Sequence, residues 1–515
     1  MCSSSGSALI GGILRLARAL VAGVAAFVVG TACLAQPLAR PPLPAREFRG
    51  VWIATVHGVD WPSEPGLPGE KQKEQLRKAI EAASALRINA IIFQVRPAGD
   101  AMYKSAIEPW SPFLTGKMGR PPTPEWDPLE FAVAEAHRRG IEMHAWFNPY
   151  RALAGDKHAP GGTHIRIQHP EWTARYGPDV WTDPGEPGVN ERTRAVVLDV
   201  VRRYDVDGVH LDDYFYPYPV KGAGGELVEF PDEKTYARYK AGGGTLERSA
   251  WRRQNVDALI QGAYSDIKGA KRWVKFGISP FGLWRPNVPE GTGGGLDPYE
   301  DLAADSRKWL QNGWVDYMAP QLYWPIEPKQ LSFTTFYDWW LSQNTAGRHI
   351  FPGMADHRIG SDRGPGEILR QISEVRRRGN MTPPGHLHFS FSTLTRDIGK
   401  IGTLTRQRAY TTLALPPATP WLGESRLPVP LLKPAFEKGR GKSVSWTFVD
   451  DRYLSLVRWW VVQVASGGQW STFQVLPATQ LSMPWPDKAQ AVSVRPAGFS
   501  WEVGEAAYVE GPHTG

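Results

Sequence analysis

Cysteine is nearly absent from this 515-residue sequence, because Cys2 and Cys33 are the only two. Both fall within the first 35 residues, so the rest of the chain should contain no disulfide and no cysteine metal site. The sequence also lacks dense runs of lysine and arginine, and its net charge of +7 is small for its length. These absences argue against a nucleic-acid-binding protein.

The N-terminal residues 1–35 have the pattern of a secretory signal peptide. Two arginines precede an apolar run at 19–29, which is too short to span a bilayer comfortably, and the small residues of GTACLAQ follow. Cleavage after Ala35 is one expectation, lipidation of Cys33 is the second, and an uncleaved anchor is the third. The proline-rich segment 36–46 is then a linker. We therefore expect an exported protein, either periplasmic or anchored as a lipoprotein at the cell envelope.

Short apolar runs alternate with amphipathic helical patterns over residues 47–415, which predicts a parallel sheet flanked by helices. Eight repeats of this unit predict a (β/α)8 TIM-type barrel. A doubly wound open sheet is the alternative, but no glycine-rich phosphate loop follows the first strand to support it. The predicted strands are 48–55, 89–96, 141–147, 207–212, 273–279, 315–323, 349–354 and 386–392. The predicted helices are 71–86, 128–139, 191–204, 248–267, 298–311, 336–342 and 365–378.

Polar residues gather at the carboxyl ends of these strands, where the active groups of such a barrel lie. Many of them share one parity along their strand and should therefore point to the same face. Each residue alone could simply satisfy a buried neighbour, so the prediction depends on the whole set converging at one rim. The predicted substrate contacts from this set are Arg96, Asp100, His144, Trp146, Asn148, His210, Ser279, Gln321, Tyr323 and Asp356.

Two adjacent aspartates, Asp212 and Asp213, end the fourth predicted strand in the stretch YDVDGVHLDDYFYP. Asp212 should point into the barrel mouth, whereas the direction of Asp213 stays open. Two close carboxylates in a partly dry site repel each other, so one pKa rises and the pair titrates together. One protonated acid beside one ionised carboxylate is what glycosidic bond cleavage requires. Both are therefore catalytic candidates, although Asp213 could instead cap the next loop or pair with Arg96.

Tryptophan is abundant, with 22 residues, and several of them fall at strand ends or in the loops that follow. A sugar ring presents a flat C–H face, and an indole offers a broad apolar plate with a polar N–H edge. Trp284 and Trp324 therefore join Trp146 as predicted sugar contacts, which indicates a polysaccharide substrate. Trp52 lies early in the first strand and is predicted to be a core residue.

Six ordered segments carry a resemblance to a known family, namely EFRGVWIATV, IIFQVRPAGDAMY, HAWFNPYR, YDVDGVHLDDYFYP, VKFGISPFGLWRP and VDYMAPQLYW. They resemble the family-10-like glycosyl hydrolases, and the similarity extends from about residue 47 to about residue 404. The resemblance implies an exported, often lipid-anchored (β/α)8 hydrolase that acts on bacterial cell-wall glycan. Peptidoglycan strands as the substrate follow from the resemblance alone.

A second, more distant similarity concerns the segment DGVHLDDY, which is similar to the DGxDxDxE strand of chitinase-type enzymes. On that pattern His210 and Asp212 take the two inner aspartate positions, and Tyr214 takes the position of the catalytic glutamate. The chain therefore lacks the acid of chitinase-type chemistry, which leaves Asp212, with or without Asp213, as the candidate centre. Another acid could come from Asp60, Asp100, Glu108 or Asp356.

The C-terminal residues 431–515 lack a helical period and contain short strand-like runs separated by turn residues. They predict a small all-β sandwich that resembles fibronectin type III or immunoglobulin modules, preceded by a linker at 416–430. This module could bind glycan or brace the barrel.

Three functions remain for the barrel. The first is a glycoside hydrolase that acts by carboxylate acid–base chemistry and needs no cofactor or metal. The second is a catalytically inactive glycan-binding barrel, which the missing chitinase-type glutamate favours. The third is a metal-dependent carbohydrate deacetylase built on His57, His144, His210 and an aspartate, although their spacing matches no known metal signature.

Overall fold

The computed structural model describes residues 38–423, 426–436 and 441–512 of the chain. The predicted signal peptide 1–35, with Cys33, lies outside the described residues. The described residues from 41 onward form one compact unit. Within the described ranges, no helix has the length and apolar character needed to cross a membrane.

The predicted (β/α)8 barrel is confirmed. Its strands are fully buried along most of their length, which explains why they read as nearly continuous apolar runs. The parallel strands, labelled β1 to β8, are Phe48–Ile53, Ala90–Arg96, Glu142–Phe147, Gly208–Leu211, Lys275–Ile278, Tyr317–Met318, an interrupted β7 at His349–Ile350 and Gly353–Ala355, and Gly385–Phe389.

The interrupted seventh strand closes the barrel. Its first segment pairs with β6 and its second segment pairs with β8, so the two ends of the sheet meet within one strand. The backbone N–H of Phe351 donates to Met318 at 2.9 Å, and the N–H of Leu387 donates to Pro352 at 3.0 Å, which continues the ring across the interruption.

The barrel helices lie close to their predicted positions because their amphipathic patterns are long. The longer helices are Gly69–Ala85, Pro128–His137, Pro187–Arg203, Glu233–Ala241, Arg248–Ala270, Phe333–Gln343 and Pro365–Arg377. The shorter ones are Pro112–Thr115, Ile165–Gln168, Pro298–Asp301, Ser306–Gln311, Phe391–Thr395 and Ile401–Leu404. The single helix predicted at 298–311 is therefore wrong, since Ala303 adopts a left-handed φ of 53° and divides it.

A small antiparallel sheet follows β3 and was absent from the sequence-based prediction. Its strands are Arg151–Leu153, Thr173–Tyr176 and Asp179–Thr182, in an order that places the last strand in the middle. The strands have three or four residues each, too few for a periodic pattern to mark them. This sheet places Arg151 beside the barrel mouth.

The all-β character of the C-terminal region is confirmed, in the form of two antiparallel sheets. One sheet contains Leu431–Ala435, Ser443–Thr447 and Ser482–Pro484. The other contains Trp459–Ser466, Gln469–Pro477, Ala491–Ala497 and Ala507–Glu510. Two of these strands, at 431–435 and 482–484, were not predicted, because the first is mostly exposed and the second has three residues.

The C-terminal module packs against the amino-terminal end of the barrel. Arg458 forms ion pairs with Asp205 at 2.5 Å and with Asp207 at 2.7 Å, just before β4. The indole Nε1 of Trp501 donates to Oε1 of Glu142, the first residue of β3, at 2.5 Å. The module therefore covers the end of the barrel opposite the strand carboxyl termini.

Candidate active site

A cavity of about 350 Å³ lies at the carboxyl ends of the barrel strands. It brings together Trp146 of β3, Asp212 and Asp213 after β4, and Ser279 after β5. Gln321 and Tyr323 from the loop after β6 complete the set of predicted residues in its wall. The remaining lining residues are Trp52, Ala54, Val56, Val59, Gln94, Arg151, Tyr214, Tyr218 and Phe389.

Asp212 is buried, with only 3% of its surface exposed, and its two carboxylate oxygens have different surroundings. Oδ2 accepts a hydrogen bond from the indole Nε1 of Trp146 at 3.0 Å and a longer one from Nδ2 of Asn148 at 3.4 Å. Oδ1 has no hydrogen-bond partner in the described part of the chain. Burial, with a contribution from the charge of Asp213, raises the pKa of Asp212 to about 7.

Asp213 also faces the cavity, which settles the direction that the sequence left open. The hydroxyl of Tyr218 donates to its Oδ2. Burial raises the pKa of Asp213, and hydrogen bonds from Tyr218 and Gln321 oppose that rise. The two neighbouring carboxyls therefore have different donors: Asp213 accepts from Tyr218, whereas Asp212 accepts from Trp146 and Asn148.

Arg151 supplies positive charge to the same cavity. Its Nε and Nη2 donate to the carbonyl of Pro97 at 3.2 and 3.1 Å, and its guanidinium carbon lies 5.0 Å from the centre of the Tyr214 ring. This charge lowers the pKa of Asp212 and of Asp213, against the larger effect of burial. Arg151 therefore favours a single ionised carboxylate in the pair over two protonated ones.

Two predicted histidines lie deeper in the barrel than the cavity. His144 and His210 are fully buried, and both contact the hydroxyl of Tyr317, each at 2.9 Å. Asn148 lies behind Asp212 and accepts the backbone N–H of Arg151 at 2.9 Å with its Oδ1. These three residues support the lining and are not part of it.

Three other predicted contacts, besides two tryptophans, also lie outside the cavity lining. Arg96 is occupied by a buried ion pair with Glu108 at 2.6 Å. Asp100 accepts the backbone N–H of Ala98 at 2.8 Å. Asp356 is fully buried against Nδ1 of His388 at 3.0 Å.

The two predicted tryptophan platforms pack elsewhere in the loops. The indole Nε1 of Trp284 donates to Asp305 at 3.1 Å, and its ring stacks on Trp339 with a centroid distance of 6.1 Å. Trp324 packs against Phe336 at 5.0 Å. Neither indole lines the cavity.

The cavity wall also contains Gln94, whose place at the end of the second predicted strand put it at this rim, whereas sequence reasoning missed Arg151, Tyr218 and Trp52. Arg151 stands in the segment HAWFNPYR, so its position in that motif was the available signal. Trp52 is buried as predicted, yet its exposed edge forms part of the wall. Tyr218 carried no signal of its own, because it meets Asp213 only through the fold of the loop after β4.

No group of three or more His, Cys, Asp or Glu side chains is arranged to hold a metal ion within the described residues. Of the histidines considered for a metal site, His57 lies apart, with its ring against Phe113 at a centroid distance of 5.1 Å. His144 and His210 are separated by the hydroxyl of Tyr317, which both contact.

A TIM barrel with two buried carboxyls and an aromatic wall at the carboxyl ends of its strands has the layout of a glycoside hydrolase. Comparison with known proteins agrees. Residues 47–364 match the family model described as glycosyl hydrolase-like 10, and the chain belongs to this family. The protein is therefore a glycoside hydrolase, and the resemblance of its six segments is confirmed.

Two relatives carry names of the same class. The chain is 37% identical over 438 residues to glycosyl hydrolase YngK of Bacillus subtilis, covering 82% of this chain and 84% of the relative. It is 35% identical over 348 residues to glycosyl hydrolase DigH of Escherichia coli K12, covering 63% of this chain and 76% of the relative. Among solved structures, the catalytic domain of β-amylase from Paenibacillus polymyxa matches with a TM-score of 0.47 and 12% identity, over 71% of this chain and 99% of that one.

Proposed function

We propose that the protein is an exported hydrolase that cuts glycosidic bonds in the glycan strands of bacterial peptidoglycan. Asp212 donates a proton to the leaving oxygen as the glycosidic C–O bond breaks, and water supplies the hydroxyl that the anomeric carbon gains. Asp213 is the ionised carboxylate beside Asp212. The observation that carries this proposal is the pair of buried neighbouring carboxyls, which share one cavity and have different hydrogen-bond partners.

The roles follow from the donors around each carboxyl. Two neighbouring carboxyls that cannot both ionise easily share one proton. Asp213 receives the hydroxyl of Tyr218, which favours its ionised form. Oδ1 of Asp212 is buried and has no hydrogen-bond partner in the described chain, so this oxygen can carry the shared proton without displacing a hydrogen bond. Asp212 is therefore the acid of the pair.

The cavity wall supports a sugar substrate. Trp52, Trp146, Tyr323 and Phe389 line it and offer apolar surfaces for the C–H faces of sugar rings. Gln321 and Ser279 add polar groups that can bond to hydroxyls. The export signal predicted at 1–35 and the family resemblance of the motifs support cell-wall glycan as the particular polysaccharide, with a lipid anchor on Cys33 as one route to the envelope.

The test uses residues 36–515 with purified peptidoglycan glycan strands, both with and without stem peptides. Mass spectrometry would identify the released sugars from the wild type, from Asp212→Asn, and from Asp183→Asn. Asp183 is a matched control, since it is a buried aspartate whose pKa burial raises to about 6, yet it lies outside the cavity lining.

The expected result is release by the wild type and by Asp183→Asn, with no release by a folded Asp212→Asn variant. Strands that remain bound but uncut by the wild type would overturn the proposed substrate and favour a glycan-binding barrel. Equal release by the wild type and Asp212→Asn would overturn the role of Asp212.

A further inference from the structure

A chain of buried polar side chains runs inside the barrel toward the cavity. We name Glu142, His144, Tyr317, His210 and Ser279 the axial relay. Oε2 of Glu142 lies 3.2 Å from Nε2 of His144. The Tyr317 hydroxyl lies 2.9 Å from Nδ1 of His144 and 2.9 Å from Nδ1 of His210, and Nε2 of His210 lies 2.9 Å from Oγ of Ser279. Each member is at most 3% exposed, and Ser279 is the member that lines the cavity.

Both ends of the axial relay are fixed by indole groups. At the end distant from the cavity, Nε1 of Trp501 in the C-terminal module donates to Oε1 of Glu142 at 2.5 Å, and Lys275 pairs with the same oxygen. Near the cavity, Nε1 of Trp52 donates at 3.2 Å to Nε2 of His210, the member next to Ser279. An indole N–H can only donate, so Glu142 and Nε2 of His210 must both accept.

These two fixed ends determine every proton position between them. A neutral His210 that accepts at Nε2 carries its hydrogen on Nδ1 and donates to the Tyr317 oxygen. The Tyr317 hydroxyl then donates to Nδ1 of His144, whose Nε2–H donates to Glu142. Burial lowers the pKa of His210 well below its ordinary value, which agrees with the neutral ring.

The barrel strands leave space for these rings by using glycine. A Cβ on Gly277 of β5 would lie 2.0 Å from the Tyr317 ring, and a Cβ on Gly208 of β4 would lie 2.4 Å from Nδ1 of His144. Neither position has a left-handed backbone, so the close approach of the rings is the reason for glycine. The inside of the barrel is therefore shaped around the relay.

We propose that Tyr317 and His210 are positioning residues for glycoside hydrolysis, and that Trp501 makes the C-terminal module part of the same catalytic unit. Oγ of Ser279 lies 2.9 Å from Nε2 of His210 and 3.5 Å from the carbonyl oxygen of Leu211. Both of these atoms are acceptors, so the Ser279 hydroxyl donates to one of them and its oxygen is left as an acceptor for a sugar hydroxyl. The assay below depends on the proposed function for its substrate, whereas the spectroscopic measurement does not.

The kinetic test is a double-mutant cycle on kcat/KM with glycan strands, using Tyr317→Phe, Trp501→Phe and the double variant. Trp421→Phe is the matched control, because Nε1 of Trp421 also donates to a buried carboxylate at this end of the barrel, Asp316 at 2.8 Å, outside the relay. We expect losses of about tenfold for Tyr317→Phe and about threefold for Trp501→Phe, with the double variant no worse than Tyr317→Phe. Trp421→Phe should stay within about twofold of the wild type.

Independent losses that multiply in the double variant, or equal effects of Trp501→Phe and Trp421→Phe, would overturn the coupling. Histidine ring 15N spectra of the same variants test the relay without substrate. The wild type should show His210 protonated on Nδ1 and His144 protonated on Nε2, and Tyr317→Phe should abolish this difference. A His210 protonated on Nε2 in the wild type would overturn the proposal, even if the strands prove not to be the substrate.

Discussion

Asp207 and Asp212 lie at opposite ends of strand β4 and are both buried, with exposures of 8% and 3%, yet their carboxyls behave in opposite ways. Asp207 pairs with Arg458 at 2.7 Å and with His137 at 2.8 Å, so its pKa falls below the ordinary value although burial alone would raise it. Asp212 forms no ion pair within the described residues, and burial raises its pKa to about 7.

The difference shows that burial alone does not decide the state of a carboxyl; its partners do. The amino-terminal end of the barrel is covered by the C-terminal module, which supplies Arg458 to pair with Asp207. The carboxyl end keeps Asp212 and Asp213 beside an open cavity with donors and a nearby arginine. The first end holds its buried carboxylate in ion pairs, and the second end retains carboxyls that face a cavity.

The largest expected effect is a loss of activity when a carboxyl at the open end is removed. Asp213→Asn should lower kcat on glycan strands by at least about 1000-fold while the protein stays folded, because the ionised carboxylate of the pair is lost. Asp207→Asn is the counterpart at the covered end, and its folded fraction should keep near wild-type kcat. Turnover by Asp213→Asn at the wild-type rate would contradict the comparison.

Removing a charge at the covered end of the barrel should lower the free energy of unfolding. Arg458→Met leaves Asp207 buried with one cation fewer and should lower the free energy of unfolding by about 3–5 kcal/mol, measured by urea denaturation. Arg452→Met, which removes the exposed pair with Asp450, should cause no measurable change. If both variants unfold at the same urea concentration, the pairing of Asp207 with Arg458 does not stabilise the fold.

The raised pKa of Asp212 predicts that removing this carboxyl stabilises the fold at high pH, whereas Arg458→Met should destabilise it. The folded protein binds this proton more tightly than the unfolded chain, so the stabilisation is complete below about pH 4 and is lost as the pH rises to about 7. Asp212→Asn should therefore match the wild type at about pH 4 and exceed its free energy of unfolding by up to about 4 kcal/mol at about pH 8. Urea denaturation at both pH values measures the difference, and equal stability at the higher pH would contradict a raised pKa.

A smaller effect should follow from removing one hydrogen bond to Asp212. Trp146→Phe deletes the N–H that bonds to Oδ2 and should lower kcat by about tenfold. Because that bond lowers the pKa of Asp212, its loss should also shift the alkaline limb of activity to higher pH. Trp126→Phe is the control, since its indole is equally buried and donates to Gln72 at 3.3 Å. If the activity of both variants depends on pH in the same way, the hydrogen bond from Trp146 does not set the pKa of Asp212.

The fold could be predicted from the sequence wherever the patterns were long. The helix predicted at 365–378 is found at Pro365–Arg377, and the strand predicted at 89–96 is found at Ala90–Arg96. The strand predicted at 315–323 shortens to Tyr317–Met318, because Pro320 cannot donate a backbone hydrogen bond.

The candidate site also contains residues that the sequence could predict and residues that it could not. Parity and strand ends placed Trp146, Asp212 and Ser279 at one rim, and all three line the cavity. Arg96 and Asp356 also lie at strand ends, but each has a buried partner distant in sequence, Glu108 or His388. Such long-range pairs leave no periodic signal, and the same reason hid Arg151 and its contact with Tyr214.

The most direct test of the account is the pH dependence of wild-type kcat/KM on peptidoglycan glycan strands. Asp212 must be protonated to act as the acid, so the rate should fall as the pH rises through about 7. A rate that stays constant or keeps rising well above this pH would contradict the assignment of Asp212 as the proton donor.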